Sequence, residues 1–432
     1  MSPLVPAGAP VREMRDFTTQ RDTAPQRGDG QIDLVLFTAI IGLLGFGIVM
    51  VYSASAVYAA QKYHAADYFL RRDLVWTTGG LVALAVAARL DYGLYRRYVY
   101  PLLGLSLVLL VGVLLVGARI NGARRWFLIA GLSFQPAELA KLSLIFYLAY
   151  SLAKKAEKVK TFTVGFLPHM AVASVFMLLL LKQPDLGTAA ILGMTTLVLL
   201  FVAGAKVSYL AIACLAAAPI MYQAIVGTPW RLRRMLAYLD PWQYRYDVGY
   251  QITESLISIG SGGLSGLGLG DGKQKLFFLP EAHTDYILAI VGEELGLLGL
   301  SGVVLAFLVL LWRGVRAALR ARDAFGAYLA FGITAVIALQ ATVNLGVVLG
   351  ALPTKGLPLP FVSFGGSTLV VDLIAAGILL NISRGAPAPA PRLRASWFAR
   401  FYAATRGNRR LRGGGRPVVP VVGDAVPETL SQ

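Results

Sequence analysis

The sequence predicts an all-α fold: a polytopic membrane protein of about ten transmembrane helices joined by short connections, with one long extracytoplasmic loop. Three observations predict it. Hydrophobic residues make up 56% of the chain and charged residues only 15%, against roughly 25% charged in an ordinary soluble domain. Uncharged runs such as 34–52, 98–117, 161–181, 186–205 and 207–226 approach or exceed the length, about 20 residues, that a helix needs to cross hydrocarbon. The Lys and Arg residues sit mostly in the tails and in alternate short loops, which is how a membrane protein sets its orientation.

The segment 1–30 is polar and rich in Pro, Gly and charge, so it reads as a disordered cytoplasmic tail rather than a cleavable signal. Spans follow at 34–52, 74–90, 98–117, 136–153, 161–181, 186–205, 207–226, 285–312, 325–350 and 367–383. The weakest is 74–90, where only fifteen uncharged residues lie between Asp73 and Arg89. Threading from an inside N-terminus puts Arg89, Arg96, Arg97, the 154–160 lysines, Lys206 and the arginines of 313–322 on the cytoplasmic side. The chain thus divides into the tail 1–30, a membrane domain 31–383 with its external loop at 227–284, and a disordered basic cytoplasmic tail 384–432. The net charge of +17 does not signal a nucleic-acid partner, because its placement follows loop topology rather than one binding face. Cys214 is the sole cysteine, which excludes an intrachain disulfide and a cysteine metal site.

Two external segments break the charge rule: 118–135 with Arg119, Arg124 and Arg125, and 227–284 with Arg231, Arg233, Arg234, Lys273 and Lys275. Either lipid headgroups or an anionic ligand such as a pyrophosphate would account for them. Residues 230–240 interleave aromatic, apolar and basic side chains, as an interfacial amphipathic helix does. The glycine-rich run 260–273 invites a phosphate-loop reading, but Leu267 and Gln274 stand where that motif needs Gly and Ser or Thr. A close-packing backbone survives, with anion contact by its amides left open.

The run 279–285 (Leu-Pro-Glu-Ala-His-Thr-Asp) leads straight into a span. Pro280 suits a first helical position, which would set Glu281 and Asp285 on one helix face, where paired carboxylates raise each other's pKa and yield a proton acceptor. Asp285 pairing with an external Arg is the plainer alternative. His283 has no metal-ligand spacing toward His64 or His169, and no metal site is read from the sequence. Glu293 and Glu294, inside an apolar span, require cations from other helices or a wet cavity. Glu138 and Lys141 are spaced for an intrahelical ion pair after Pro136, Gln183-Pro-Asp185 makes a turn, and Lys355 with Gly365-Gly-Ser367 marks a broken or re-entrant approach to the last span.

Together these motifs resemble the SEDS family (shape, elongation, division and sporulation) of peptidoglycan glycosyltransferases over roughly 31–383, and the details at Gln274, Ala282 and 352–356 are more similar to its division (FtsW) branch than to RodA. The resemblance rests on 121–126, 135–141, 183–187, 249–251, 279–285 and 292–296 taken in order. One departure is that Tyr286 and Leu288 stand where Phe is usual. The resemblance implies a ten-helix enzyme of the cytoplasmic (inner) membrane that polymerises lipid II at its outer face during septal synthesis, with Asp285 essential. It further implies a class B penicillin-binding protein (an FtsI-type transpeptidase) and other divisome membrane proteins as partners. On this reading Asp285 is the general base, and Arg124, Arg125 and Lys355 meet the leaving diphosphate, leaving room for a divalent cation, Mg or Mn. Glu281, His283, Gln183, Asp185 and Ser367 complete the substrate contacts, while Glu138, Lys141, Glu293 and Glu294 are structural. Many helices with intramembrane carboxylates also describe a transporter, so a lipid II flippase is the alternative, and a non-catalytic division scaffold a third reading.

Overall fold

The computed structural model describes residues 30–385 apart from 121, 130 and 131; the two tails fall outside the described residues, except for positions 30, 384 and 385. Thirteen α-helices carry the fold among the described residues. They are α1 (Leu34–Tyr63), α2 (Tyr68–Arg89), the short α3 (Gly93–Arg97), α4 (Val99–Val116), α5 (Pro136–Lys154), α6 (Leu167–Lys182), α7 (Leu186–Ala203), α8 (Val207–Val226), α9 (Pro229–Leu239), α10 (Tyr250–Gly262), α11 (Ile287–Arg320), α12 (Ala324–Val348) and α13 (Ser367–Ser383). A small antiparallel sheet, β1 (Ala118–Ile120), β2 (Ala123–Ile129) and β3 (Leu132–Phe134) in that order, occupies the segment expected to be a plain loop.

By length and hydropathy seven segments suffice to cross a membrane: α1, α4, Phe162–Lys182 containing α6, α7, α8, α11 and α12. The protein is a polytopic membrane protein. The other three expected spans are also helical but more polar or shorter. The 74–90 run is part of α2, a helix of 22 residues that starts earlier and takes in Asp73. It lies along α13, whose Leu373 meets Gly80. α5 is buried along almost its whole length among α4, α7 and α12. α5 and α13 tolerate polar side chains because neighbouring helices, not lipid, surround them, and in α2 Asp73 and Thr77 lie on the one buried face.

The connection 227–284 contains α9 and α10 rather than an open loop. α9 has the amphipathic character its sequence predicts, with Arg231 and Arg234 each over the Trp230 ring (5.1 and 5.2 Å). The glycine run then explains itself through α11. That helix is broken at Gly296 (φ 63°, ψ −160°), and the backbone groups freed by the break are taken up by the run. Leu267 N–H donates to Glu293 C=O and Gly268 N–H to Glu294 C=O (both 3.0 Å), while Leu297 and Leu298 N–H donate to Gly263 and Leu264 C=O (3.0 and 3.2 Å). A break inside a membrane helix survives only where its polar groups are satisfied this way. Gly266 sits at φ 83° with its missing Cβ only 2.1 Å from Glu294 C=O. Gly266→Ala is therefore expected to destabilise the protein by about 3 kcal/mol through strain and overlap combined, read as a lower midpoint of thermal unfolding in detergent.

At the end of the bundle opposite this connection, Arg313 pairs with Asp33, Arg96 with Asp323, and Asn381 bridges Ala88 C=O and Tyr92 N–H (2.9 and 3.2 Å). These contacts tie α1 to α11, α3 to α12 and α2 to α13 where the chain leaves the membrane domain.

Candidate active site

Asp285 lies in the turn just before α11. The expected helix from Pro280 does not form: Glu281 takes a left-handed backbone (φ 57°), Thr284 and Tyr286 N–H both donate back to its carbonyl (3.2 Å each), and α11 starts at Ile287. Glu281 and Asp285 are thus neighbours across a turn rather than along a helix face, which corrects the sequence expectation. The Glu281 carboxylate accepts from Thr284 Oγ1 (3.0 Å) and is exposed.

Asn344, buried on α12, fixes the turn. Its Nδ2 donates to Asp285 C=O and to Leu357 C=O, both at 2.8 Å, so one amide ties the Asp285 turn to the irregular segment that carries Lys355. Gln340, one turn earlier, donates to Pro358 C=O (3.0 Å). That segment, 349–366, is the expected non-helical approach to α13. Gly356 faces the carboxylate, where a Cβ would stand 2.9 Å from Asp285 Oδ2, so glycine keeps this side of the acid open. Asn344→Leu would leave two buried carbonyls unpaired and is expected to lower stability by about 3 kcal/mol. A thermal melt of the variant beside the parent checks this.

The cations come from three other elements. On β2 Arg125 donates from Nε to Gln183 C=O (2.9 Å) and from its terminal nitrogen to Pro184 C=O (2.6 Å). Alternate residues on a strand face opposite ways, and Arg124 goes instead to the C-terminal carbonyls of α4, Leu114 and Leu115 (3.3 and 3.0 Å). The structure therefore separates the two expected anion-binding arginines and gives Arg124 a capping contact. Lys355, Arg231 and Arg234 line a cavity of about 280 Å³ whose remaining wall is mainly apolar, including Leu186, Ile191, Met194, Met221 and Ile225. Arg231 and Arg234 thereby join the site, although as two of several arginines in an amphipathic run they carried no individual signal.

Charge and burial shape the titration of this group. Asp285 is pushed up to about 7, first by burial and then by Glu281, with Arg125 and Arg234 opposing. Lys355 is pulled down to about 8 by burial and by Arg231 and Arg234. Both groups thus sit close to neutrality, the condition for proton transfer at physiological pH.

The other expected site residues make contacts within the protein. Asp185 caps α7, accepting from Thr188 N–H (3.1 Å) and Oγ1 (2.8 Å), and its charge also reaches Asp285 and Lys355. Gln183 donates from Nε2 to Leu110 C=O (3.1 Å). Ser367 Oγ accepts from Gln135 N–H (3.0 Å) at the start of α5. His283 packs among Phe69, Phe364 and Tyr58, with centroids at 4.4, 6.0 and 6.1 Å, and burial lowers its pKa. Glu138 meets Lys141 at 2.6 Å, and Lys141 donates on to Gln340 (2.8 Å). Among the described residues no three His, Cys, Asp or Glu side chains converge to hold a metal ion.

Fold and site together define a helical membrane protein in which one near-neutral carboxylate faces a group of cations at one end of the bundle. Residues 34–387 match the cell cycle protein family of FtsW, RodA and SpoVE, and the chain belongs to that family. It is 51% identical over 360 residues to the probable peptidoglycan glycosyltransferase FtsW of Geobacter sulfurreducens (strain DL-1 / KN400), covering 82% of this chain and 96% of the relative. It is 41% identical over 354 residues to stage V sporulation protein E of Bacillus subtilis (strain 168), covering 82% and 97%. Among solved structures, a chain reported under "Structural coordination of polymerization and crosslinking by a peptidoglycan synthase complex" superposes with a TM-score of 0.69 at 30% identity, covering 82% of this chain and 98% of that one. The crystal structure of the rod shape determining protein RodA of Thermus thermophilus gives 0.61 at 30% identity, covering 82% and 97%.

Proposed function

We propose that this chain is a peptidoglycan glycosyltransferase of the FtsW type, polymerising lipid II with Asp285 as its general base. Asp285 takes the proton from the 4-hydroxyl of the acceptor sugar as that oxygen forms a bond to the anomeric carbon of the donor. The bond from that carbon to the polyprenyl pyrophosphate breaks on the opposite side, and an α-linked donor becomes a β-linked product. Negative charge grows on the leaving diphosphate, where fixed cations in a water-poor site contribute most. Lys355, Arg234, Arg231 and Arg125 supply them, and the apolar wall beside Lys355 suits the first part of the lipid chain.

The observation that carries this reading is a carboxylate raised to about 7 beside cations that border an apolar cavity. It also favours an enzyme over a flippase. The buried carboxylates of α2, α5, α11 and α13, namely Asp73, Glu138, Glu293, Glu294 and Asp372, all lie within about 11 Å of the helix ends on the Asp285 side, counted at 1.5 Å per residue. A conduit for a charged headgroup calls for charged groups through the other half as well, and among the described residues the buried carboxylates of these helices do not continue there.

Loop charge supports an orientation with the Asp285 end outside the cytoplasmic membrane and both termini inside. A membrane-anchored class B penicillin-binding protein that cross-links the nascent strand, at the division septum, is the partner this activity calls for. Purified protein in detergent, given lipid II and no bilayer, is expected to yield glycan polymer on a gel. A flippase gives none under those conditions, and polymer made equally well by Asp285→Asn protein would remove the base from the mechanism.

A further inference from the structure

The segment that presents Asp285 is tethered at its other end by a buried ionic cluster outside the substrate contacts above. Lys275 and Glu294 have side chains 5% and 0% exposed and meet at 2.6 Å. Ser53 of α1 donates from Oγ to both Glu294 carboxylate oxygens (2.8 and 2.7 Å). The Lys275 ammonium also donates to Gly270 C=O (2.6 Å) and reaches Ser53 Oγ (3.3 Å). Beside it Glu293 accepts from Lys273 N–H (2.7 Å) and Gln274 N–H (3.2 Å). The amides once open to an anionic ligand are thus occupied by the protein's own carboxylate. The cation that meets Glu294 and the amides that meet Glu293 come from a loop, not from another helix.

Such a cluster is better suited to fixing geometry than to adding stability, because removing either partner leaves a buried charge uncompensated. What it fixes is a strained stretch. Between Lys275 and Asp285 the chain passes through Phe277 (φ 71°) and Glu281 (φ 57°), two non-glycine residues in left-handed conformation. Strain of this kind persists only where the surroundings over-determine it. On the far side the stretch is held by Phe364 N–H donating to His283 C=O (3.1 Å). In the middle its Leu279 N–H donates to Gln274 C=O (2.9 Å), adjacent to the cluster.

We propose that Ser53, Lys275 and Glu294 form an ionic latch between α1, the glycine-rich connection and α11 that positions Asp285 for proton abstraction. The three are positioning residues, and the proposal rests on Asp285 being the general base. A displacement of about 1 Å in a reacting group lowers turnover by about 100-fold, so loss of the latch acts on kcat more than on KM.

The test uses full-length Glu294→Gln, Lys275→Met and Ser53→Ala proteins in detergent, with lipid II turnover followed against pH and thermal melts in parallel. The expected result is a kcat lowered about 10- to 100-fold for Glu294→Gln and Lys275→Met, with KM within about threefold. The acid limb of kcat/KM also moves down by about one pH unit as the released turn admits water to Asp285, whose facing charges Glu281, Asp185, Arg125 and Arg234 are untouched. Parental kcat and an unmoved acid limb overturn the latch, as does a lower kcat with that limb in place and a falling melting point. Should the first two variants fail to fold, Ser53→Ala decides: about threefold lower kcat with a displaced limb supports the latch, and parental values reject it. An Asp285→Asn protein that still polymerises defeats the base assignment itself, whereas an inert one beside fully active latch variants defeats the latch alone.

Discussion

Asp285→Asn protein is expected to polymerise lipid II about 1,000-fold more slowly than the parent, with little change in KM. Asn keeps the shape and the backbone bond from Asn344 but cannot accept the proton, and a positioned general base contributes about 10² to 10⁴ in rate. The same substitution should stabilise the protein. Asp285 has a pKa of about 7 in the folded state against an ordinary 3.8, so the folded form holds its proton more tightly than the unfolded chain does. Stability is then fullest below pH 4 and is lost as pH rises through 7, by up to about 4 kcal/mol at 1.36 kcal/mol per pKa unit. A neutral Asn escapes that loss. Melting curves at pH 8 should place the variant above the parent, and the difference should close toward pH 4. A parent that melts at the same temperature as Asp285→Asn at pH 8 would mean that the carboxylate is not held in a low-dielectric turn.

Stability and activity thus pull in opposite directions at one residue, as they do wherever a site needs a charge that the fold would rather not bury. Lys355 shares the position. Burial and the like charges of Arg231 and Arg234 disfavour its ammonium form, as burial and Glu281 disfavour the Asp285 carboxylate.

How far such features are legible in a sequence depends on whether their signal is local. Apolar runs revealed nearly every spanning helix, and even the marginal 74–90 run proved to be part of a 22-residue helix. The interleaving at 230–240 revealed α9 because amphipathicity is read within a few turns. Asp285 stood out because a charge beside an apolar run is costly. The misreadings all depend on contacts distant in sequence. Glu281 and Asp285 were expected on one helix face from their spacing, yet Asn344 and the turn bonds hold the chain in another conformation. Arg124 and Arg125 looked equivalent until a short strand, unforeseen in that loop, turned them to opposite sides. Asn344 and Gln340 carried only a weak signal, as amides inside an apolar helix. The glycine run could not be interpreted alone, because its function is to satisfy a break at Gly296 some thirty residues further on.

The second large effect concerns Lys355 and the shape of the pH profile. The proposed mechanism needs Asp285 deprotonated and Lys355 protonated, so kcat/KM should rise tenfold per unit below about 7, where Asp285 titrates, and fall above about 8, where Lys355 does. The basic limb should lie higher in the profile of kcat, because a bound diphosphate favours the ammonium form. Lys355→Met removes one of the fixed charges that meet the leaving group and is expected to lower kcat about 100-fold, the loss typical of deleting one electrostatic contact to a developing anion. Lys355→Arg restores the charge without its titration. That variant should recover part of the rate and keep it up to pH 9 or so, with the acid limb still near 7. A basic limb that persists near 8 in the Lys355→Arg protein would assign it to another group and remove Lys355 from the reacting charge.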